Sequence, residues 1–208
     1  MNQEKTIQQN RVTYLTHIED LLELTQLFPN RYVLIGSGAR LQFTNPQQAI
    51  DEVLTYLNEV ANGPILIIFG GDTANADRPD LGYLVQQVKA VFHKTVKVLS
   101  VQSWSDSCPF VDYVFKYPRS FCENSKRELW GGVQKGSPVA ATRYYLHHKV
   151  QQQLTALICI GGGEIAKQEL AHAIDQGILK CHYIKAEVRH YRELSLYGPT
   201  YDWYNSLD

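Results

Sequence analysis

The chain has 208 residues, 44% of them hydrophobic, and sets 20 basic against 21 acidic side chains for a formal charge of -1. That length suits one α/β domain with a buried core, and the charge balance argues against a nucleic-acid surface spread over the molecule, which is normally strongly basic. The N-terminus MNQEKTIQQNR lacks the apolar stretch of a secretory leader, and the longest apolar runs are far too short to cross a bilayer, so a cytoplasmic protein is expected.

Residues 1–12 read as a loose end. From Tyr14 to Phe28, apolar residues at Leu15, Ile18, Leu21, Leu22, Leu24 and Leu27 predict an amphipathic helix. RYVLI (Arg31 to Ile35) is a short buried strand that ends in Gly36-Ser37-Gly38. Asn45-Pro46 opens a helix, Asn as N-cap and Pro in the first turn, with Ile50, Val53, Leu54 and Leu57 on one face. PILIIF (Pro64 to Phe69) is a second strand, running into Gly70-Gly71-Asp72.

Pro79 to Phe92 predicts a helix, Val96 to Val101 a third strand, and Val111 to Phe115 a short fourth. The periodicity then fails over residues 116–136, a loop long enough to be functional or partly structured. Ser137-Pro138 opens a helix to about Gln152, followed by a strand (Ala156 to Ile160), a helix (Glu164 to Gln176) and a last strand (Lys180 to Ile184). Residues 191–208 read as an aromatic tail with Tyr191, Tyr197, Tyr201, Trp203 and Tyr204, a load expected to pack on the domain or on a neighbouring subunit, with stacking on a base as the alternative. Alternating strands and helices, with strands apolar throughout, predict a single Rossmann-like domain: a mainly parallel sheet with helices on both faces.

In such sheets ligands sit at the C-terminal edge of the strands. Three strand ends here carry glycines, at Gly36 and Gly38, at Gly70 and Gly71, and at Gly161, Gly162 and Gly163. Glycine lets the backbone approach a ligand, and amides at a helix start favour phosphate; glycine also simply turns a chain between strand and helix. Ser37 suits a hydroxyl donor to phosphate, Arg40 a counter-charge, and Asp72 a ribose contact, each with a turn, surface or capping role as the alternative. Gln102 and Ser103 end the third strand near the same edge.

Neither GxGxxG after the first strand, nor GxxxxGK[ST], nor GxSxG occurs. Cys108, Cys122, Cys159 and Cys181 form no CxxC pair, and Cys159 lies in an apolar strand, so reduced cysteines and no zinc site are expected. His147 and His148 are adjacent and point to different helix faces, and no metal or other cofactor is expected. The stretch Arg119 to Gly132 carries Arg119, Lys126, Arg127 and Trp130, either as a lid or as a solvated connection.

VLIGSGAR (Val33 to Arg40), IIFGGD (Ile67 to Asp72) and ALICIGGGEIAKQEL (Ala156 to Leu170), in that order, resemble the LOG-like superfamily. That group holds the lysine-decarboxylase-like phosphoribohydrolases, the DNA-processing A fold and the SLOG nucleotide sensors. Its enzymes carry PGGxGTxxE, where this chain has Ile160-Gly161-Gly162-Gly163-Glu164 and no threonine. The resemblance implies a nucleotide or nucleotide-derived ligand. In its enzymatic form it implies hydrolysis of an N-glycosidic bond through an oxocarbenium-like transition state, with Glu164 or Glu169 as the carboxylate and Arg143 gripping phosphate. Against this stand a helix-dipole role for Glu164 and a solvent-facing one for Glu169. Three activities stay open: that hydrolysis, a non-catalytic nucleotide sensor that assembles as a homo-oligomer, and a glutamate-based transfer like that of nucleoside deoxyribosyltransferases.

Overall fold

A computed structural model describes residues 12–36, 41–70, 74, 76–92, 95–102, 110–116, 153–163, 166, 170 and 180–190. The elements in chain order are β1 (Thr13–Leu15), α1 (Ile18–Gln26), β2 (Asn30–Gly36), β3 (Leu41–Phe43), α2 (Pro46–Val60), β4 (Ile65–Phe69), α3 (Leu81–Phe92), β5 (Val96–Gln102), β6 (Tyr113–Lys116), β7 (Ala156–Ile160), β8 (Cys181–Ile184) and β9 (Val188–His190). The expected helix at 137–152 and the tail at 191–208 lie outside the described residues, as does the 116–136 loop apart from Lys116. Of the expected 164–176 helix, Ala166 and Leu170 are described, both helical and both buried.

Among the described residues seven strands form one sheet in the order β1-β6-β5-β4-β2-β7-β8, and every pairing in it is parallel. Parallel strands covered on both sides need apolar residues at every position. Accordingly ILIIF of β4 and ALICI of β7 are buried throughout. Side chains alternate between two cores. Tyr32, Leu34, Ile67, Phe69, Val98 and Ile158 face one, with Ile50, Val53 and Leu57 of α2 and Leu84, Val85 and Val88 of α3 packed over them. Val33, Ile35, Ile68, Leu99, Leu157 and Cys159 face the other, under Leu21 and Leu24 of α1 and under Ala166 and Leu170.

The assignment of helices to faces follows from crossover handedness. From β2 the chain steps outward to β4 and β5 through α2 and α3 on the first face. It then returns to the far side of β2 and steps the opposite way, from β7 to β8, with Ala166 and Leu170 on the second face. A right-handed crossover requires the helix to change faces when the direction reverses. The fold is therefore α/β, Rossmann-like and doubly wound.

Local chemistry places the ends of the helices. Asn45 caps α2 by accepting from the Gln48 N–H at 3.2 Å, with Pro46 in the first turn. On the sheet side, the Tyr56 ring of α2 stacks on His182 of β8 at 4.1 Å and meets Tyr32 edge-on. The expected Tyr14 to Phe28 helix is corrected at its start. Thr13–Leu15 pairs in parallel with Tyr113–Phe115 as an edge strand, and the helix begins only at Ile18. There the Asp20 carboxylate accepts the Thr16 and His17 N–H groups. Leu27, expected on the apolar face, is 73% exposed because it lies past the last helical turn.

At the opposite, N-terminal edge, Asp112 ties three elements together. Its carboxylate accepts from Lys89 of α3 at 2.6 Å, from Lys97 of β5 at 3.0 Å and from the Val98 N–H at 2.9 Å, while its own carbonyl receives the Thr13 N–H of β1. Replacing Asp112 with alanine leaves the Val98 amide without its acceptor and Lys89 with the Phe110 carbonyl but no counter-charge, and is expected to lower stability by about 2–4 kcal/mol in urea unfolding. Lys97→Ala, at a side chain 43% exposed, is expected to cost under about 1 kcal/mol in the same assay.

Candidate functional site

The sheet reverses its direction of travel between β2 and β7, and this switch point is where doubly wound sheets hold ligands. The two strands are in register to the last residue of each, Gly36 beside Ile160. The sequence-expected glycines at Gly36 and at Gly161 to Gly163 are therefore neighbours across the switch point. Gly70 follows β4, the strand on the other side of β2. Ser37, Gly38, Arg40, Gly71, Asp72, Ser103, Arg143, Glu164 and Glu169 lie outside the described residues, as do Cys108, Cys122 and the Arg119 to Gly132 stretch. Gln102 is placed at the end of β5.

Each glycine at the switch point has a physical reason. A Cβ at Gly36 would lie 2.5 Å from the Ile160 carbonyl oxygen, so a side chain cannot stand between β2 and β7. Gly161 adopts φ +52°, and its Cβ would fall 2.2 Å from the Ala186 carbonyl oxygen; its N–H is already engaged by Ile184 O at 2.9 Å. Gly162, at φ +95°, lies under Ala166, whose Cβ would be 2.5 Å from one at residue 162. Gly163 is looser: the nearest atom to its would-be Cβ is the tip of the Leu41 side chain at 3.3 Å. Gly36, Gly70 and Gly163 keep partial exposure, whereas Gly161 and Gly162 are buried. Packing accounts for Gly36, Gly161 and Gly162, and of these glycines Gly70 and Gly163 keep exposed backbone without such a clash shown.

Three features of this edge escape local sequence reading. The first is a two-stranded antiparallel ribbon, β3 with β9, pairing Leu41 with His190 and Phe43 with Val188. The second is Asp80. The helix expected from Pro79 starts instead at Leu81, with Asp80 accepting the Tyr83 N–H at 3.0 Å and Pro79 lending its carbonyl to the Phe43 N–H of the ribbon. Burial pushes the Asp80 carboxyl up to about 6, opposed by backbone hydrogen bonds from the α3 start and by the Arg78 charge. An aspartate directly before an apolar helical run was the available signal; its burial was not visible. The third is Ser100 of β5, fully buried, with a hydroxyl that has no partner among the described residues. It pairs with Phe69, the last residue of β4, just below the sheet edge.

Among the described residues no three His, Cys, Asp or Glu side chains gather as a metal site, and no helix is long and apolar enough to cross a membrane. Cys159 and Cys181 are not disulfide-bonded; burial raises Cys181 to about 11, which makes it a poor nucleophile at neutral pH. No family model matches the chain, and no curated protein matches it.

Two outcomes follow from this geometry. Gly161→Ala forces a methyl group into the Ala186 carbonyl on a left-handed backbone and is expected to cost about 3 kcal/mol or more. Gly63→Ala, also at positive φ but with nothing nearer than 3.6 Å, should cost only about 1–2 kcal/mol in parallel thermal melts. For Asp80, the folded carboxyl holds its proton more tightly than the unfolded one. Its contribution to stability is therefore full below about pH 4 and is lost as pH rises to about 6. Asp80→Asn keeps the cap acceptor. Urea midpoints at pH 4.5 and 7 should show a smaller acid-side advantage in that variant than in the wild type.

Proposed function

We propose that this protein binds a nucleotide or nucleotide-derived metabolite at the C-terminal edge of its sheet, over the junction of β2 and β7. One observation carries the reading: where the sheet reverses, β2 ends on Gly36 level with Ile160, the last residue of β7, and the glycine run after it brings the partly exposed Gly163 backbone to the same edge. Bare backbone there can approach a phosphate that side chains would hold off. The buried Ser100 hydroxyl beneath the β4–β5 end, without a partner among the described residues, supports the same edge as a polar ligand site, because a buried hydroxyl left unmet costs about 1–3 kcal/mol.

The resemblance of the glycine-bearing segments to LOG-like proteins points to a phosphorylated nucleoside. In the enzymatic version of the reading, Glu164 or Glu169 stabilises the oxocarbenium ion and directs water to the anomeric carbon, and Arg143 holds the phosphate. The loss of threonine from the IGGGE stretch favours the second version, a sensor that binds without turnover and assembles as a homo-oligomer through its aromatic tail.

Gly163 offers the cleanest test, since an alanine there meets only the flexible tip of Leu41. A panel of nucleoside mono- and diphosphates should raise the melting temperature of the wild-type protein. Gly163→Ala should melt close to wild type without ligand and bind the best nucleotide about tenfold more weakly, a loss of roughly 1.4 kcal/mol. Release of free base that disappears in Glu164→Gln or Glu169→Gln identifies the hydrolase; a thermal shift without release identifies the sensor. If no nucleotide moves the melting temperature, the proposal fails.

A further inference from the structure

A dinucleotide-binding sheet is built from two mononucleotide-binding halves, and the ligand lies across both. The first half is complete here: β2, α2, β4, α3 and β5 supply three parallel strands and two helices on one face. In the second half, the described residues hold two parallel strands, β7 and β8, after which the chain turns at residues 185–187 and runs antiparallel to β3 as β9. β3 follows β2, β9 follows β8, and β7 lies between those two strands. A ribbon made from β3 and β9 therefore has to pass over the end of β7.

The contacts agree with that placement. The Ala186 carbonyl occupies the space a Gly161 side chain would need, and the Leu41 side chain lies over Gly163. Phe43 and Val188 seat the ribbon in the core of the first face. Its two strands are tied to each other by the Thr44 N–H donating to Glu187 O at 3.0 Å and the Thr44 hydroxyl to the Glu187 carboxylate at 2.9 Å, and the ribbon is fastened to the approach to α3 by the Phe43 N–H donating to Pro79 O at 2.8 Å.

We infer that the β3–β9 ribbon is a size filter, which fills the ground of a second nucleoside and restricts the site to ligands carrying one. The inference rests on the nucleotide-site reading above and adds a limit that the glycines alone do not set. The phosphates reach the β2–β7 junction, the single nucleoside lies over the β2–β4–β5 half, and anything joined beyond the pyrophosphate meets Ala186, Leu41 and Glu187.

The test compares, by titration calorimetry on the full chain, the best-binding nucleoside diphosphate with the symmetrical dinucleoside diphosphate of the same base. The two share base, ribose and pyrophosphate and differ only in the second nucleoside. The dinucleoside compound should bind about tenfold or more weakly. In the double variant Thr44→Val, Glu187→Ala, confirmed as folded by circular dichroism, the gap should narrow several-fold while the nucleoside diphosphate binds as before. Equal affinity of the two compounds for the wild type overturns the filter and leaves the site reading standing. A gap that survives unchanged in the folded double variant overturns the ribbon as its cause. Binding of neither compound removes the site itself.

Discussion

The upper edge of this protein depends on how closely β2, β7 and the β8–β9 connection approach one another. Three stretches of main chain meet where Gly36, Ile160, Gly161 and Ala186 touch, and at two of those positions a single methyl group would fall within 2.5 Å of a carbonyl oxygen. Real side chains do not tolerate such distances, so the residues are fixed as glycine before any ligand is considered. The register of β2 on β7 brings the two strand ends level, and the Gly161 N–H to Ile184 O bond ties β8 to the same point.

That constraint changes what the glycines mean. A run of three after an apolar strand reads equally well as a phosphate cradle or as a turn, and here the run divides. Gly161 and Gly162 at positive φ, and Gly36 against the Ile160 carbonyl, have no room for a side chain and build the junction; Gly163, partly exposed, is its open surface. One glycine stretch can thus serve packing and approach together, and the two roles separate by residue. A substitution at Gly161 reports on folding, and one at Gly163 on what comes to the edge.

What the sequence made legible followed the range of the interactions involved. The long buried strands stood out because a parallel sheet needs unbroken apolar runs, and β4 and β7 have them. Asn45-Pro46 marked the start of α2 because a cap is a bond to a residue three positions away. The three-residue strands were illegible. Leu15 of β1 fits the helical spacing that follows it, and what makes it a strand is its pairing with Phe115, a hundred positions on. Leu41 and His190 are farther apart still, and nothing local in either marks the ribbon. At the site, the glycines were visible and their meeting at one switch point was not, because strand order is a property of the whole chain. Asp80 could be read as a polar residue before a helix, but its raised pKa comes from burial under surroundings the sequence does not display.

The two edges of the sheet divide the work between them. At the N-terminal edge Asp112 gathers two lysines and a backbone amide, and these bonds fix β1, β5, β6 and α3 to one another with strongly paired charge. The C-terminal edge holds glycine backbone, the capped starts of α2 and α3, a carboxyl that burial pushes up to about 6 and a hydroxyl without a partner among the described residues. A buried polar group without a partner is what a bound ligand can complete. The ribbon then sets the extent of that edge, since it covers the end of β7 with main chain already committed to Thr44, Glu187 and Pro79.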